Sequence, residues 1–199
     1  SQMGPGGVFG DVLGGSSLSS PVTVVASAPC EVLLVPYEKL LLPGADPARQ
    51  RVLQNLVRTI SDLQNRGFEM VLVSSGAVAV GTAKLGLKER PRELAVKQAA
   101  AAVGQCELMY VYDKLFAEYN HTVAQLLLTG EDIRSEQRSR NVRNTLSRLL
   151  ELGALPVINE NDAVATDEIG VENTIGENDT LSAIVAAAIG ADLLVLLSD

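Results

Sequence analysis

Residues 154–199 read ALPVINENDAVATDEIGVENTIGENDTLSAIVAAAIGADLLVLLSD. ALPVIN and ADLLVLLSD are short apolar runs without polar alternation, and DTLSAIVAAAIG between them is rich in helix formers, with Asp179 or Thr180 placed near its N-cap. Unalternated apolar strands are buried on both faces, the mark of a parallel sheet covered by helices. A strand, a long polar loop, a helix and a second strand therefore set the fold class.

Upstream, the same alternation recurs. Val52, Leu53, Leu56, Val57, Ile60 and Leu63 fall at helical spacing, and Gly67 stands where that helix should stop. FEMVLVSS reads as a buried strand, ELAVKQAAAAVGQCELMYVYDKLFAEY as a helix weakened in its middle by Gly104, and HTVAQLLLT as another strand. SEQRSRNVRNTLSRLLELG is an amphipathic helix, capped by Ser135 and stopped at Gly153. The expected fold is α/β, a three-layer αβα sandwich with a mainly parallel sheet occupying residues 48–199.

Residues 1–47 form an atypical β-rich segment. Two β-rich runs, 22–27 and 31–35, flank a turn at Ala28-Pro29. The segment is too short for a core of its own, so it must pair with something else.

Composition narrows the function. The net charge of -8 over 199 residues argues against a nucleic-acid partner, which clustered Lys and Arg would have to bind. Gly, Ser, Asn or Asp break every apolar run before the ~18 residues of a membrane span, and no basic and apolar leader opens the chain. Cys30 and Cys106 lack disulfide or zinc spacing. A cytoplasmic protein without membrane contact is expected. Cys106, within an apolar helix, reads as packed, and His121 reads as structural at the opening of a strand.

The loop in the opening stretch carries seven carboxylates between Ile158 and Thr180 with no Lys or Arg among them. In open parallel sheets, ligands sit beyond the carboxyl ends of the strands. Four polar patches fall at such places: residues 74–77, 159–162, 176–179 and 198–199. Gly76 after Ser74-Ser75 allows backbone N–H groups to approach an anion, although SSG alone is more often an ordinary turn. Asp162 can accept from an ammonium, and the Asn178 amide can serve either an ammonium or a carboxylate. That mixture suits a zwitterion. A solvated loop or a calcium loop are the other readings, the latter without the EF-hand pattern.

The blocks VLVSSGAVAVG, KQAAAAVGQCELM, HTVAQLLLT, LPVINENDAVATDEI and GENDTLSAIVAAAIGADLLVLLSD together resemble the amino acid kinase family, and within it the glutamate 5-kinases, from about residue 62 to residue 199. The resemblance implies transfer of phosphoryl from ATP, with Mg2+, to the γ-carboxylate of L-glutamate. It implies that Ser75, Asp162 and Asn178 bind glutamate, that Asp179 is the catalytic organising acid, and that Ser198 and Asp199 begin the nucleotide segment. No metal-ligating residue is assigned. Two features of the family have no counterpart: a first strand of the type VVKxGT, since Lys39 in EVLLVPYEKLLLPG follows a proline, and the nucleotide-site segments expected after Asp199. An exposed sheet edge makes a homo-oligomer the expected assembly. Residues 1–61 also resemble, more faintly, the end of a cyclic-nucleotide-binding-like sensor domain, without its phosphate-binding arginine.

Overall fold

The computed structural model describes residues 30–35, 47–165 and 177–197. In chain order the elements are β1 (Cys30–Val35), α1 (Pro47–Asn65), β2 (Glu69–Ser74), α2 (Ala77–Lys84), α3 (Leu94–Ala117), β3 (Val123–Leu128), α4 (Gly130–Arg134), α5 (Glu136–Glu151), β4 (Leu155–Glu160), α6 (Glu177–Ile189) and β5 (Leu193–Leu196). The five strands form one sheet in the order β3-β4-β2-β1-β5, and every pairing is parallel.

Alternating side chains divide the core into two layers. Met70 and Leu72 of β2, with Leu155 and Val157 of β4, pack against α1 (Leu53, Val57, Ile60) and α3 (Leu108, Tyr112, Phe116). Val71 and Val73, with Ile158, face Leu146 of α5 and Leu181 and Val185 of α6 on the other side. All six residues of β4 are buried, as are Met70 to Ser74 of β2. The expected three-layer α/β sandwich is therefore the observed one.

The run at residues 31–35, too short for a core of its own, does pair with the rest of the sheet. It lies within β1, between β2 and β5, in register from Cys30 opposite Glu69 to Val35 opposite Ser74. The run at 22–27 and the turn at Ala28-Pro29 lie outside the described residues.

Three local expectations meet the structure. First, α6 begins at Glu177, which puts Asp179 in its first turn, near the N-cap as expected. Second, Cys106 is exposed, because α3 turns that position away from the sheet. Third, His121 precedes β3 by two residues, at the amino edge of the sheet, with its Nε2 buried. Ser135 does cap α5, accepting from the Arg138 N–H at 3.4 Å, and Gly153 takes the left-handed φ of 74° past its end.

α4 carries its own start signal. The Thr129 N–H donates to Asp132 Oδ2 at 2.8 Å, and the Asp132 N–H donates back to Thr129 Oγ1 at 3.4 Å. The Thr129 hydroxyl bond, more than any other contact, holds the Asp132 carboxyl below the usual carboxylate range. A depressed carboxylate pKa gives stability that is present above the unfolded value, about 3.9, and is lost as pH falls through the folded one. Asp132→Ala is expected to cost about 1 kcal/mol at pH 7. In thermal unfolding the gap between the two proteins should close as the buffer is taken below pH 4.

Among the described residues, no helix is long and apolar enough to cross a membrane.

Candidate active site at the carboxyl ends of the central strands

The helix layers decide where the crevice lies. From β2 the chain leaves toward α2 and α3, on the α1 face of the sheet, whereas β4 is followed by α6 on the opposite face. β2 and β4 are neighbours, with Leu72 opposite Val157 and Val73 opposite Ile158. Two adjacent parallel strands whose exits diverge to opposite faces open a crevice beyond their carboxyl ends. Ser74-Ser75-Gly76 stands on one side of it and Asn159 to Asp162 on the other.

Both strand tips carry buried polar side chains. Ser74, Ser75, Asn159 and Glu160 are all at most 6% exposed. Such groups must be hydrogen-bonded to be tolerated, and α3 supplies partners to Ser74 and Asn159. Ser74 Oγ and the Tyr112 hydroxyl lie 3.0 Å apart. Burial pushes the Tyr112 phenol up to about 12, so it stays protonated across the working pH range. Asn159 Nδ2 donates to Gln105 Oε1 at 2.9 Å, while Asn159 Oδ1 accepts the Glu160 N–H at 2.9 Å.

The turn after β4 is tied down as well. The Asn161 N–H donates to the Leu128 carbonyl at 2.8 Å, and the Asn161 carbonyl accepts from Val164 and Ala165 at 3.1 and 2.9 Å. Gln98 Nε2 adds a bond to the Ala165 carbonyl at 3.3 Å. Asp162 sits at the head of this turn, half-buried.

On the β2 side, Gly76 adopts φ 93°, a left-handed value that favours glycine, and α2 starts on the next residue. The first helical bond runs from the Val80 N–H to the Gly76 carbonyl. The N–H groups ahead of Val80 therefore open beside Ser75, at the positive end of the helix dipole.

α2 can lie there because it meets α3 backbone to backbone. A Cβ at Gly81 would come within 1.7 Å of the Ala100 carbonyl oxygen, and one at Gly104 within 1.7 Å of the Ala77 oxygen. Gly104, which costs helix propensity, is what lets the two helices touch. Lys84 of α2 pairs with Glu107 of α3 at the edge of this contact.

α6 begins at the same edge of the sheet, since the connection from β4 to the parallel strand β5 must run back across it. Asp179 lies in its first turn, and burial pushes its carboxyl above the usual range. A cation beside it would relieve that penalty. Asn178 shares this turn by backbone placement, but its side chain lies outside the described residues, as do Ser198 and Asp199 wholly. Thus Ser75 and Asp162 flank one crevice and α6 brings Asp179 to its edge. The residues missed from the sequence are Gln98, Gln105 and Tyr112, whose only signal there was a spacing of seven.

The sequence model of the amino acid kinase family matches residues 13–199, starting well upstream of the blocks that begin near residue 62. Among curated proteins, the glutamate 5-kinase of Clostridium acetobutylicum is 55% identical over 147 residues, covering 74% of this chain and 54% of that protein. That of Clostridium tetani is 54% identical over the same length, with the same shares. The glutamate 5-kinase of Carboxydothermus hydrogenoformans is 48% identical over 168 residues, 84% of this chain and 44% of that protein. The chain spans about half the length of the curated relatives it matches. A parallel αβα sandwich, polar tips on β2 and β4 and a family match over nearly the whole sequence agree: the chain belongs to the amino acid kinase family.

Proposed function

We propose that the crevice between the ends of β2 and β4 binds L-glutamate, and that the protein transfers the γ-phosphoryl group of ATP to the glutamate γ-carboxylate. The observation that carries this reading is the pair of buried polar strand tips, Ser74-Ser75 and Asn159-Glu160, side by side where the exits diverge. The relatives named glutamate 5-kinase, about half identical to this chain, supply the substrate.

In this reading Asp162 and the Asn178 amide hold the ammonium and α-carboxylate, and Ser75 with the first N–H groups of α2 holds an anionic oxygen. A γ-carboxylate oxygen attacks the terminal phosphorus. The new C–O–P linkage forms as the bond from that phosphorus to the bridging oxygen breaks, and ADP leaves with the electron pair. Catalysis here is mainly positioning and charge stabilisation, because little covalent work falls to the protein. Asp179 would orient cationic groups around the phosphoryl, and Ser198 and Asp199 would open the nucleotide side.

The donors near the crevice, Glu160, Asp162 and Asp179, are oxygen ligands of the kind Mg2+ takes, one or two at a time with substrate phosphates. Among the described residues no three His, Cys, Asp or Glu side chains form a cage. Mg2+ carried on ATP fits that donor set, and it would neutralise phosphate charge.

An acyl phosphate is trapped by hydroxylamine. With Mg-ATP and hydroxylamine, the protein is expected to yield a hydroxamate from L-glutamate at least tenfold faster than from L-aspartate. That margin corresponds to about 1.4 kcal/mol of selectivity. Hydroxamate from L-aspartate at an equal or greater rate would replace the substrate assignment.

A further inference from the structure

Gln98, Gln105 and Tyr112 recur every seven residues on α3. Seven residues are close to two turns, which keeps the three on one face of the helix. Each meets a different part of the crevice: the Ala165 carbonyl in the turn after β4, the side chain of Asn159 at the end of β4, and Ser74 at the end of β2. The rest of that face is apolar, with Ala101, Leu108 and Phe116 buried. A polar side chain amid such neighbours is retained only where it meets a partner.

Gln105 occupies the most constrained place of the three. It is 8% exposed and Asn159 is 2% exposed, so neither amide is open to solvent as an alternative partner. Asn159 can turn its amide in two ways. With Nδ2 on Gln105 Oε1, its Oδ1 is left facing the Glu160 N–H, and that bond fixes the backbone two residues ahead of Asp162. We propose that Gln105 is a positioning residue that, through Asn159, sets the course of the loop carrying Asp162. Its consequence for substrate rests on the reading of that loop as the glutamate site.

Three variants test this. Gln105→Met keeps the length without an acceptor, Gln105→Ser leaves a hydroxyl too short to reach Asn159, and Gln105→Glu keeps acceptor oxygens. Titrations would use L-glutamate and Mg-ATP as separate probes, with amide hydrogen exchange followed at Glu160 in the unliganded protein. The Met and Ser variants are expected to weaken L-glutamate binding at least tenfold and to speed Glu160 exchange by a similar factor. Mg-ATP affinity should stay within twofold, and the Glu variant should restore most of the glutamate affinity. L-glutamate binding within twofold of the parent in both loss variants would overturn the proposal. Should the parent bind no L-glutamate, the substrate assignment fails by itself. Glu160 exchange then decides the positioning role: acceleration upholds it, and an unchanged rate overturns it.

Discussion

Asp162→Ala is expected to weaken L-glutamate binding by about 100-fold, a loss of about 3 kcal/mol. The estimate follows from the place of the side chain. It heads the turn after β4, half-buried, on backbone pinned by the bonds from Asn161 to Leu128 and from Val164 and Ala165 to Asn161. A carboxylate held in that way is already arranged for an ammonium and loses little freedom on binding. Its removal leaves the substrate charge unpaired within the crevice. Because backbone bonds from Asn161, Val164 and Ala165 hold the turn, the melting temperature should move by less than ~3 °C, corresponding to under about 1 kcal/mol. Calorimetric titration beside a thermal scan separates the two effects; equal affinity in the variant and the parent would remove Asp162 from the site.

Gly104→Ala is expected to have the largest effect on stability. The methyl group would meet the Ala77 carbonyl oxygen at 1.7 Å and the Gly81 nitrogen at 2.6 Å, both backbone atoms that no rotamer change can move. Overpacking of this kind costs about 3 kcal/mol, well above the ~1 kcal/mol that alanine gains over glycine in a helix. The net loss of about 2 kcal/mol should lower the melting temperature by roughly 4–8 °C. Relief requires α2 to move away from α3, which carries the N–H groups behind Ser75 with it. L-glutamate affinity should therefore fall along with stability, by about tenfold or more. An alanine variant that melts at the parent temperature would show that the helices do not touch through these glycines.

Much of this fold could be read directly from residue patterns. FEMVLVSS, ALPVIN and ADLLVLLSD are unalternated apolar runs, and each became a strand: the first two are buried inside the sheet, while the third is the edge strand β5 and only partly buried. α2 was harder to see. AVAVGTAK is β-branched, contains glycine and lies directly after a strand, so nothing local marks it as helical. It is held by contact with α3, which propensity does not register. α4 escaped notice because it is five residues long and its capping box closes with Asp132 in place of the more usual Glu or Gln.

The candidate site was legible in part for similar reasons. Ser75 and Asp162 stood out as candidates because they follow strands closely, and strand ends in a parallel sheet gather at one edge. The helix side was hidden. In the Ala-rich sequence of α3, Gln105 and Cys106 look alike as interruptions of an apolar stretch, yet one faces the sheet and is buried while the other is exposed. A shift of 100° around a helix decides that, and without the position of the sheet the sequence does not show which side is inward. β1, by contrast, was legible as the β-rich run at 31–35; what the pattern did not show was its place in the sheet, between β2 and β5.

The most direct test of the glutamate reading is calorimetric titration of the protein with L-glutamate, alone and again in the presence of Mg-ATP. The account predicts saturable one-site binding of L-glutamate in both titrations, at least tenfold weaker binding of D-glutamate and L-aspartate, and near-complete loss in Asp162→Ala, each tenfold step being about 1.4 kcal/mol. The absence of any binding heat for L-glutamate at several temperatures would contradict it.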